Sequence, residues 1–303
     1  MKDIEEILRY FPNSIYTLLK NTLIQDINLQ NDLQEIRIRV GRFILLKTRQ
    51  ADIIIDYQIT TSEILQILEK LCENSIYAYK NQICEGFLTV RGGHRIGITG
   101  TAVTEENKIV NLKYITSLNF RIAREVIGCS NQILEDIIDF ENHSIYNTLI
   151  VSPPGKGKTT MLRDIIRNIS NGIDKIHFKG LTCGVVDERG EIAAMYKGVP
   201  QNDVGIRTDI IENISKSKGM RMLIRSMAPE VICCDEIGSK EDIQAIRRSN
   251  NSWSKRYFYK SWKKHGRYKK QYTNQLFNRN KTNRKSAFFI KKVLNQKHSE
   301  YNT

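Results

Sequence analysis

Acidic residues are almost absent from the last part of this 303-residue chain. From Arg247 to Thr303 there is one carboxylate, Glu300, against 17 lysines and arginines, and neither aspartate nor proline occurs. This tail carries a net charge of +16, so the preceding 246 residues, at −2, are nearly neutral although the whole chain is at +14. Because clustered cations attract phosphate backbones of any sequence, the charge suggests nucleic-acid binding for the tail alone.

Three further absences limit the class of protein. The sequence has no run of about 18 uncharged apolar residues, which argues against a membrane-spanning helix. Its start lacks the basic region and the continuous apolar core of a signal peptide. The six cysteines show neither CxxC nor Cys/His ligand spacing, so no disulfide framework or zinc site is predicted. We therefore expect a cytoplasmic, globular protein of about two domains whose cysteines stay reduced.

The first 143 residues mix helix and strand signals and are predicted to form an α+β domain. Glu63 to Leu71 places its apolar residues at helical spacing, and Phe87 to Val103 predicts two strands about the turn pair Gly92-Gly93. No catalytic constellation appears here. Basic side chains of this region could bind phosphate or a neighbouring subunit, although solvated strand faces and turns explain them too: Arg91, His94, Arg95, Arg121 and Arg124.

From Asn147 the pattern changes to short apolar runs alternating with helical stretches. Leu149–Val151, Gly184–Val186 and Val231–Cys234 are unalternated and bounded by turn residues or charge, as expected of parallel strands buried on both faces. A strand, a glycine-rich turn and a helix in that order are typical of an α/β nucleotide-binding layer. We assign this core to residues 144–246.

The strongest motif joins the first of these strands to a helix. The segment from Ser152 to Thr159, SPPGKGKT, matches the P-loop except that Ser152 replaces the first glycine. Its glycines allow successive N–H groups to face phosphate oxygens, its last lysine reaches the β- and γ-phosphates, and its threonine hydroxyl binds Mg²⁺. The residues predicted to hold ATP are Pro154, Gly155, Lys156, Gly157, Lys158, Thr159 and Thr160, with Thr159 also a ligand of Mg²⁺.

Carboxylates follow the other two buried strands. Asp235 and Glu236 come after Val231–Cys234, which predicts a metal-binding role for Asp235 and a water-activating role for Glu236. Glu188, after the strand that ends at Val186, is a candidate second catalytic carboxylate because ligands bind at the carboxyl edge of such sheets. Candidate arginines for neutralising transition-state charge, in the same chain or from a neighbouring subunit, are Arg207, Arg221 and Arg225.

Three segments, SPPGKGKTTMLRD, VVDERGEIAAMYKGVPQNDVGIRTDI and MRMLIRSMAPEVICCDEIG, resemble the stage III sporulation protein AA family, relatives of the type II and type IV secretion ATPases. The resemblance covers Leu33 to about Ile246. It implies an α/β fold with a RecA-like ATPase core and a smaller N-terminal α+β domain. It also implies catalytic roles for Glu188, in the acidic box Asp187-Glu188-Arg189-Gly190-Glu191, and for Arg225, in the arginine-bearing segment before the strand that leads to Asp235.

The same resemblance implies partners and a location. The chain is expected to form a homo-hexamer and to act with membrane-embedded proteins of the channel that joins mother cell and forespore. It would work in the cytoplasm on the mother-cell side, attached to the membrane through those partners. No specific nucleic acid is expected.

The family pattern stops at Ile246, where a further strand ending in a histidine box should follow. Back-translated with A- and T-rich codons and moved by one base, the tail reads EEAIIHGVKGIFTNHGKNMEDIKNN, which resembles the missing sequence. Both Ser-Trp pairs, Ser252-Trp253 and Ser261-Trp262, become His-Gly. We hypothesise a frameshift at Ile246/Arg247. The ATPase core would then be incomplete, and residues 247–303 would form a disordered, out-of-frame tail. We expect a protein with this tail to hydrolyse ATP poorly or not at all. An unpaired strand edge is then expected in the core sheet.

Two other functions remain open from the sequence. A P-loop protein could bind nucleic acid through its tail, where four aromatic side chains lie among lysines and could stack on bases: Tyr257, Tyr259, Trp262 and Tyr268. A non-catalytic scaffold could use bound ATP only for assembly. Coding DNA with a family-like reading in the adjacent frame would support the frameshift, and its absence would contradict it.

Overall fold

The computed structural model of the chain describes residues 2–151, 156–235 and 256–261, the last segment as backbone. Its residues divide into two compact units, an N-terminal unit of Met1–Arg124 with Ala194–Gln201, and a core unit of Glu125–Ala193 with the chain from Asn202 onward. The first part of the N-terminal unit thus ends at Arg124, earlier in the chain than the predicted domain boundary at residue 143.

The N-terminal unit holds five helices and a six-stranded antiparallel sheet in the order β3-β2-β1-β6-β5-β4. In chain order its elements are α1 (Lys2–Leu8), α2 (Asn13–Gln25), α3 (Ile27–Asp32), β1 (Glu35–Arg39), β2 (Phe43–Lys47), β3 (Asp52–Gln58), α4 (Thr61–Leu71), α5 (Lys80–Cys84), β4 (Phe87–Thr89), β5 (Arg95–Glu105) and β6 (Lys108–Arg121).

Local sequence explains the predicted elements of this unit. Thr60 and Glu63 form a reciprocal capping box at the start of α4, which satisfies two otherwise unpaired backbone N–H groups. The predicted hairpin is confirmed, since β4 pairs with β5 across a turn in which Gly92 and Gly93 have φ of 81° and 73°. Glycine suits this turn because side chains disfavour positive φ.

A short segment that follows the acidic box along the chain, Ala194–Gln201, packs within the N-terminal unit. The Tyr196 hydroxyl donates to the Glu73 carboxylate, and the Lys197 ammonium pairs with the same group. The Gly92 N–H donates to Gln201 Oε1 at 2.9 Å. The chain therefore leaves the core unit at residue 193 and returns to it at residue 202.

The core unit carries a five-stranded sheet, two two-stranded ribbons and three helices within its described part. Its elements are α6 (Leu134–Ile137), β7 (Ile138–Asp139), β8 (Ser144–Ile145), β9 (Thr148–Val151), α7 (Lys158–Asn171), β10 (Gly172–Ile173), β11 (Phe178–Lys179), β12 (Cys183–Asp187), β13 (Thr208–Glu212), α8 (Lys216–Ser226), β14 (Val231–Cys234) and β15 (Arg256–Ser261).

The sheet is parallel throughout, with strand order β13-β12-β14-β15-β9. Every residue of β12 and β14 is buried, which explains their unbroken apolar runs. Because all strands run the same way, their carboxyl ends lie at one edge. The α/β fold class with a RecA-like core is thereby confirmed.

One expectation about the tail is corrected. No unpaired edge remains between β9 and β14 in the described sheet, because Arg256–Ser261 enters as β15 and pairs with both neighbours. Backbone hydrogen bonds make these pairs, and the run Tyr257-Phe258-Tyr259 has the aromatic composition that strands favour. The rest of residues 247–303 lies outside the described residues, so its predicted disorder stays a prediction.

Four of the six cysteines are buried in the protein, as the sequence analysis predicted for core residues. Cys72, Cys183, Cys233 and Cys234 are buried, and all six are free thiols. Burial raises the pKa of the Cys72 thiol to about 11, which disfavours the reactive thiolate. Among the helices that the structure describes, none combines the length and the apolar content needed to span a bilayer.

A buried carboxylate fastens helix α7 to the start of the core unit. Asp164 accepts hydrogen bonds from the Gly128 N–H at 3.0 Å, the Ser130 N–H at 2.8 Å and the Ser130 hydroxyl at 2.7 Å. Arg167 pairs with it at 2.8 Å. These contacts explain why the residues directly after Arg124 belong to the core unit.

We predict that Asp164→Asn lowers the free energy of unfolding by about 3 kcal/mol, since it breaks a buried ion pair and turns an amide group towards N–H donors. Burial raises the pKa of Asp164, but the bonds from Ser130, Gly128 and Arg167 outweigh it and hold the pKa below 3.8. Its stabilising effect is therefore present above that pH and lost as pH falls through the lowered pKa. Urea unfolding at pH 7 measures the difference, and Asp136→Asn on the exposed side of α6 should change it by under about 0.5 kcal/mol.

Candidate nucleotide site

The predicted P-loop enters helix α7 at the carboxyl edge of the sheet. Strand β9 ends at Val151, and α7 begins at Lys158 directly after Gly157. Gly157 has φ of 75°, and nothing lies within 4 Å of the position that a Cβ would take there. Among the predicted nucleotide ligands, Pro154 and Gly155 lie outside the described residues.

This helix start fits a phosphate group. Gly157 is the N-cap of α7 and has no side chain with which to bind the first N–H groups of the helix. Those N–H groups and the helix dipole form a binding site for anions. Lys158 is only 6% exposed, while Thr159 and Thr160 are half-buried and Lys156 is exposed. The described residues of the motif, 156–160, thus all lie at the N-terminal end of α7.

Carboxylates end three adjacent strands at the same edge. Asp187 of β12 is level with Glu212 of β13, and Asp235 follows Cys234, which is level with Val186 of β12. Burial, together with the charge of Asp235, raises the pKa of Asp187 although three N–H donors oppose this. Burial and the charge of Asp187 likewise raise the pKa of Glu212. Such an electronegative edge suits a cation, and Asp235 is the predicted ligand of Mg²⁺ in it.

Asp187 itself has a structural role that the sequence analysis did not assign. Its carboxylate accepts hydrogen bonds of 2.9 Å from the N–H groups of Glu191, Ile192 and Ala193. The Arg163 guanidinium of α7 stabilises the same turn by donating hydrogen bonds to the carbonyls of Ile192 at 2.7 Å and Glu191 at 2.8 Å. The acidic loop is therefore bound both to its own strand and to the P-loop helix.

Glu188 lies in this loop and contacts a lysine that sequence reasoning missed. The Lys216 ammonium, from the first residue of α8, pairs with Glu188 Oε2. The two residues are 28 positions apart, so no local pattern indicated the contact. Glu236, the other predicted catalytic carboxylate, lies outside the described residues.

The candidate arginines are not brought to this edge within the chain. Arg207 donates to the carbonyls of Ser170 at 2.8 Å and Asn171 at 3.2 Å, which satisfies the C-terminal end of α7. Arg221 and Arg225 are exposed on α8. Arg225 lies nine residues, or about 14 Å of helix, beyond Lys216. The described contacts bring neither Arg221 nor Arg225 to the acidic edge of the sheet, so a role for Arg225 stays a prediction.

The parallel sheet and the glycine-lysine helix start belong to an α/β fold that the chain shares with two solved ATPases. The X-ray structure of the Yersinia pseudotuberculosis ATPase DotB aligns with a TM-score of 0.55 at 15% identity, covering 89% of this chain and 69% of that one. The pilus retraction motor PilT, crystallised with bound ADP, aligns with a TM-score of 0.52 at 14% identity, covering 87% and 71%.

The chain belongs to the family described as Sporulation stage III, protein AA, whose family model matches residues 1–267. Stage III sporulation protein AA of Bacillus subtilis strain 168 is 38% identical over 247 residues, which are 81% of this chain and 76% of that protein. The family resemblance is thereby confirmed. The match is longer at both ends than the predicted span from Leu33 to Ile246. The expectation that the family pattern stops at Ile246 is therefore wrong, since the family model continues to residue 267 of the written sequence.

Proposed function

We propose that this protein is an ATP-binding and ATP-hydrolysing motor subunit. The observation that carries the proposal is the meeting of two features at one sheet edge. The start of α7, whose N-cap Gly157 makes no side-chain cap hydrogen bond, provides N–H groups for phosphates, and Asp235 with its neighbour Asp187 provides negative charge for a divalent cation. This is the pair of groups that Mg·ATP needs.

We assign the following roles in ATP binding and hydrolysis to residues of this chain. Lys158 holds the β- and γ-phosphates, while the Thr159 hydroxyl and the Asp235 carboxylate hold Mg²⁺. When bound, the metal neutralises phosphate charge. Glu236 orients and deprotonates the attacking water, and Glu188 acts as a second catalytic carboxylate. Arg225, which is exposed on α8, neutralises phosphate charge in the transition state, in its own chain or at the nucleotide of a neighbouring subunit.

At the level of the cell, we propose that six copies form a ring. By family membership, this ring would power or assemble the channel between mother cell and forespore, bound from the mother-cell cytoplasm to membrane-embedded partners. Activity of the chain as written is impaired if its tail is out of frame. No specific nucleic acid is proposed, since β15 commits Arg256–Ser261 of the basic tail to the core sheet.

The test is binding of a fluorescent ATP analogue with and without Mg²⁺. Lys158→Ala is expected to weaken Mg·ATP binding about 30-fold, because it removes a charge-assisted hydrogen bond to phosphate. Lys175→Ala removes an exposed lysine of the same unit and should leave the dissociation constant unchanged. Binding that is equally tight after Lys158→Ala, or no binding by the unaltered protein, would contradict the proposal.

A further inference from the structure

The pair between Lys216 and Glu188 places a cation inside the core unit and its partner at the surface. The Lys216 side chain is 8% exposed, whereas that of Glu188 is 37% exposed. Removing an ammonium group from water is costly unless an anion compensates for it. Glu188 is the carboxylate that the described contacts give to this lysine, so the two side chains hold each other in place.

Helix stability does not explain a lysine at this position. Lys216 is the first residue of α8, where the helix dipole presents partial positive charge and favours an anion. A buried lysine there is unfavourable for the helix itself. The compensation comes from outside the helix, from Glu188, which directly follows the last residue of β12 at the carboxyl edge of the sheet.

We propose that Lys216 is a positioning residue that fixes the Glu188 carboxylate and balances its charge, so that the edge accepts the γ-phosphate of ATP. The inference rests on the proposed function. ATP brings one more phosphate group than ADP to this electronegative edge. With Lys216 removed, the Glu188 charge is uncompensated and repels that additional group. Lys216 therefore sets the preference for ATP over ADP, while Lys158 sets the affinity for both.

The experiment measures dissociation constants of Mg·ATP and Mg·ADP for the full chain and four variants. Lys216→Met is expected to weaken ATP binding about fivefold relative to ADP binding. Lys216→Arg, which keeps the charge, should restore the preference, and so should the double variant Lys216→Met with Glu188→Gln. The control Lys218→Met removes an exposed lysine of the same helix and should change neither constant.

A purely structural role predicts a different result, in which both nucleotides weaken equally and the double variant restores nothing. That result, or an unchanged preference in Lys216→Met, overturns the inference. Amide hydrogen exchange of residues 188–193, measured without nucleotide, tests the contact between Lys216 and Glu188 independently of nucleotide binding. If the unaltered protein binds no nucleotide, the proposed function and the role in ATP preference both fail. In that case, faster amide exchange in Lys216→Met than in the unaltered protein would support the contact between Lys216 and Glu188 but not a role in nucleotide preference.

Discussion

A chain that carries the adjacent reading frame from residue 247 onward is expected to hydrolyse Mg·ATP about 100-fold faster than the chain as written, a difference of about 2.7 kcal/mol in activation free energy. Strand β15 lies between β9, which leads to the P-loop, and β14, which leads to Asp235. Ser261 is level with Val151, so the end of β15 lies beside the start of the P-loop. A residue at the end of this strand is therefore close in the sheet to the segment proposed to bind phosphate, where charge develops during hydrolysis.

The shifted reading supplies different chemistry at that position. It places His-Gly where the chain has Ser261-Trp262, and it aligns its own strand pattern, VKGIFTNHG, with the segment that contains Arg256–Ser261. On the frameshift hypothesis, the written sequence thus keeps a strand at this place and differs from the adjacent reading in the residues at the end of that strand.

The measurement compares steady-state turnover of the two proteins at saturating Mg·ATP, with Lys158→Ala in each as the background. Nucleotide affinity should differ little, because the described phosphate-binding residues are shared. The single substitution Ser261→His in the written chain is expected to recover less activity than the full adjacent reading, since the other residues of the tail stay unchanged. Equal turnover in the two complete proteins would remove the basis for the frameshift hypothesis.

Local patterns were sufficient for much of the fold. The capping box of Thr60 and Glu63 and the glycine turn at Gly92 act over a few residues, so the sequence indicates them directly. The buried runs of β12 and β14 are equally local. Strand β15 was missed because the tail's composition argued for disorder, whereas the sheet supplies pairing partners on both sides.

The site shows the same division. The P-loop helix start was predictable because strand, loop and helix are contiguous in sequence. The Lys216 pair with Glu188 was not, because two side chains 28 positions apart meet only when β12 and α8 pack. Glu212 was missed for a similar reason, since the register between β12 and β13 decides that it lies opposite Asp187.

Asp187→Ala is expected to lower the free energy of unfolding by about 4 kcal/mol. The carboxylate accepts three N–H groups of the acidic loop, two of them in the buried residues Ile192 and Ala193. Alanine leaves these donors without an acceptor, at about 1–3 kcal/mol for each that stays buried. Asp187→Asn keeps one acceptor oxygen and should cost about half as much. Asp174→Ala, an exposed aspartate of the same unit, should cost under about 0.5 kcal/mol.

The pH dependence gives an independent check on the cause. Burial, with the charge of Asp235, raises the pKa of Asp187 above its ordinary value of 3.8, so the folded state binds the proton more tightly than the unfolded state. The stability that this group contributes is therefore full below pH 3.8 and declines as pH rises through the raised pKa. The difference in urea unfolding free energy between the unaltered protein and Asp187→Asn should shrink over that range. A difference that grows with pH would mean that the loop's N–H donors dominate over burial, and the acidic edge would then be held mainly by hydrogen bonds to the ionised carboxylate.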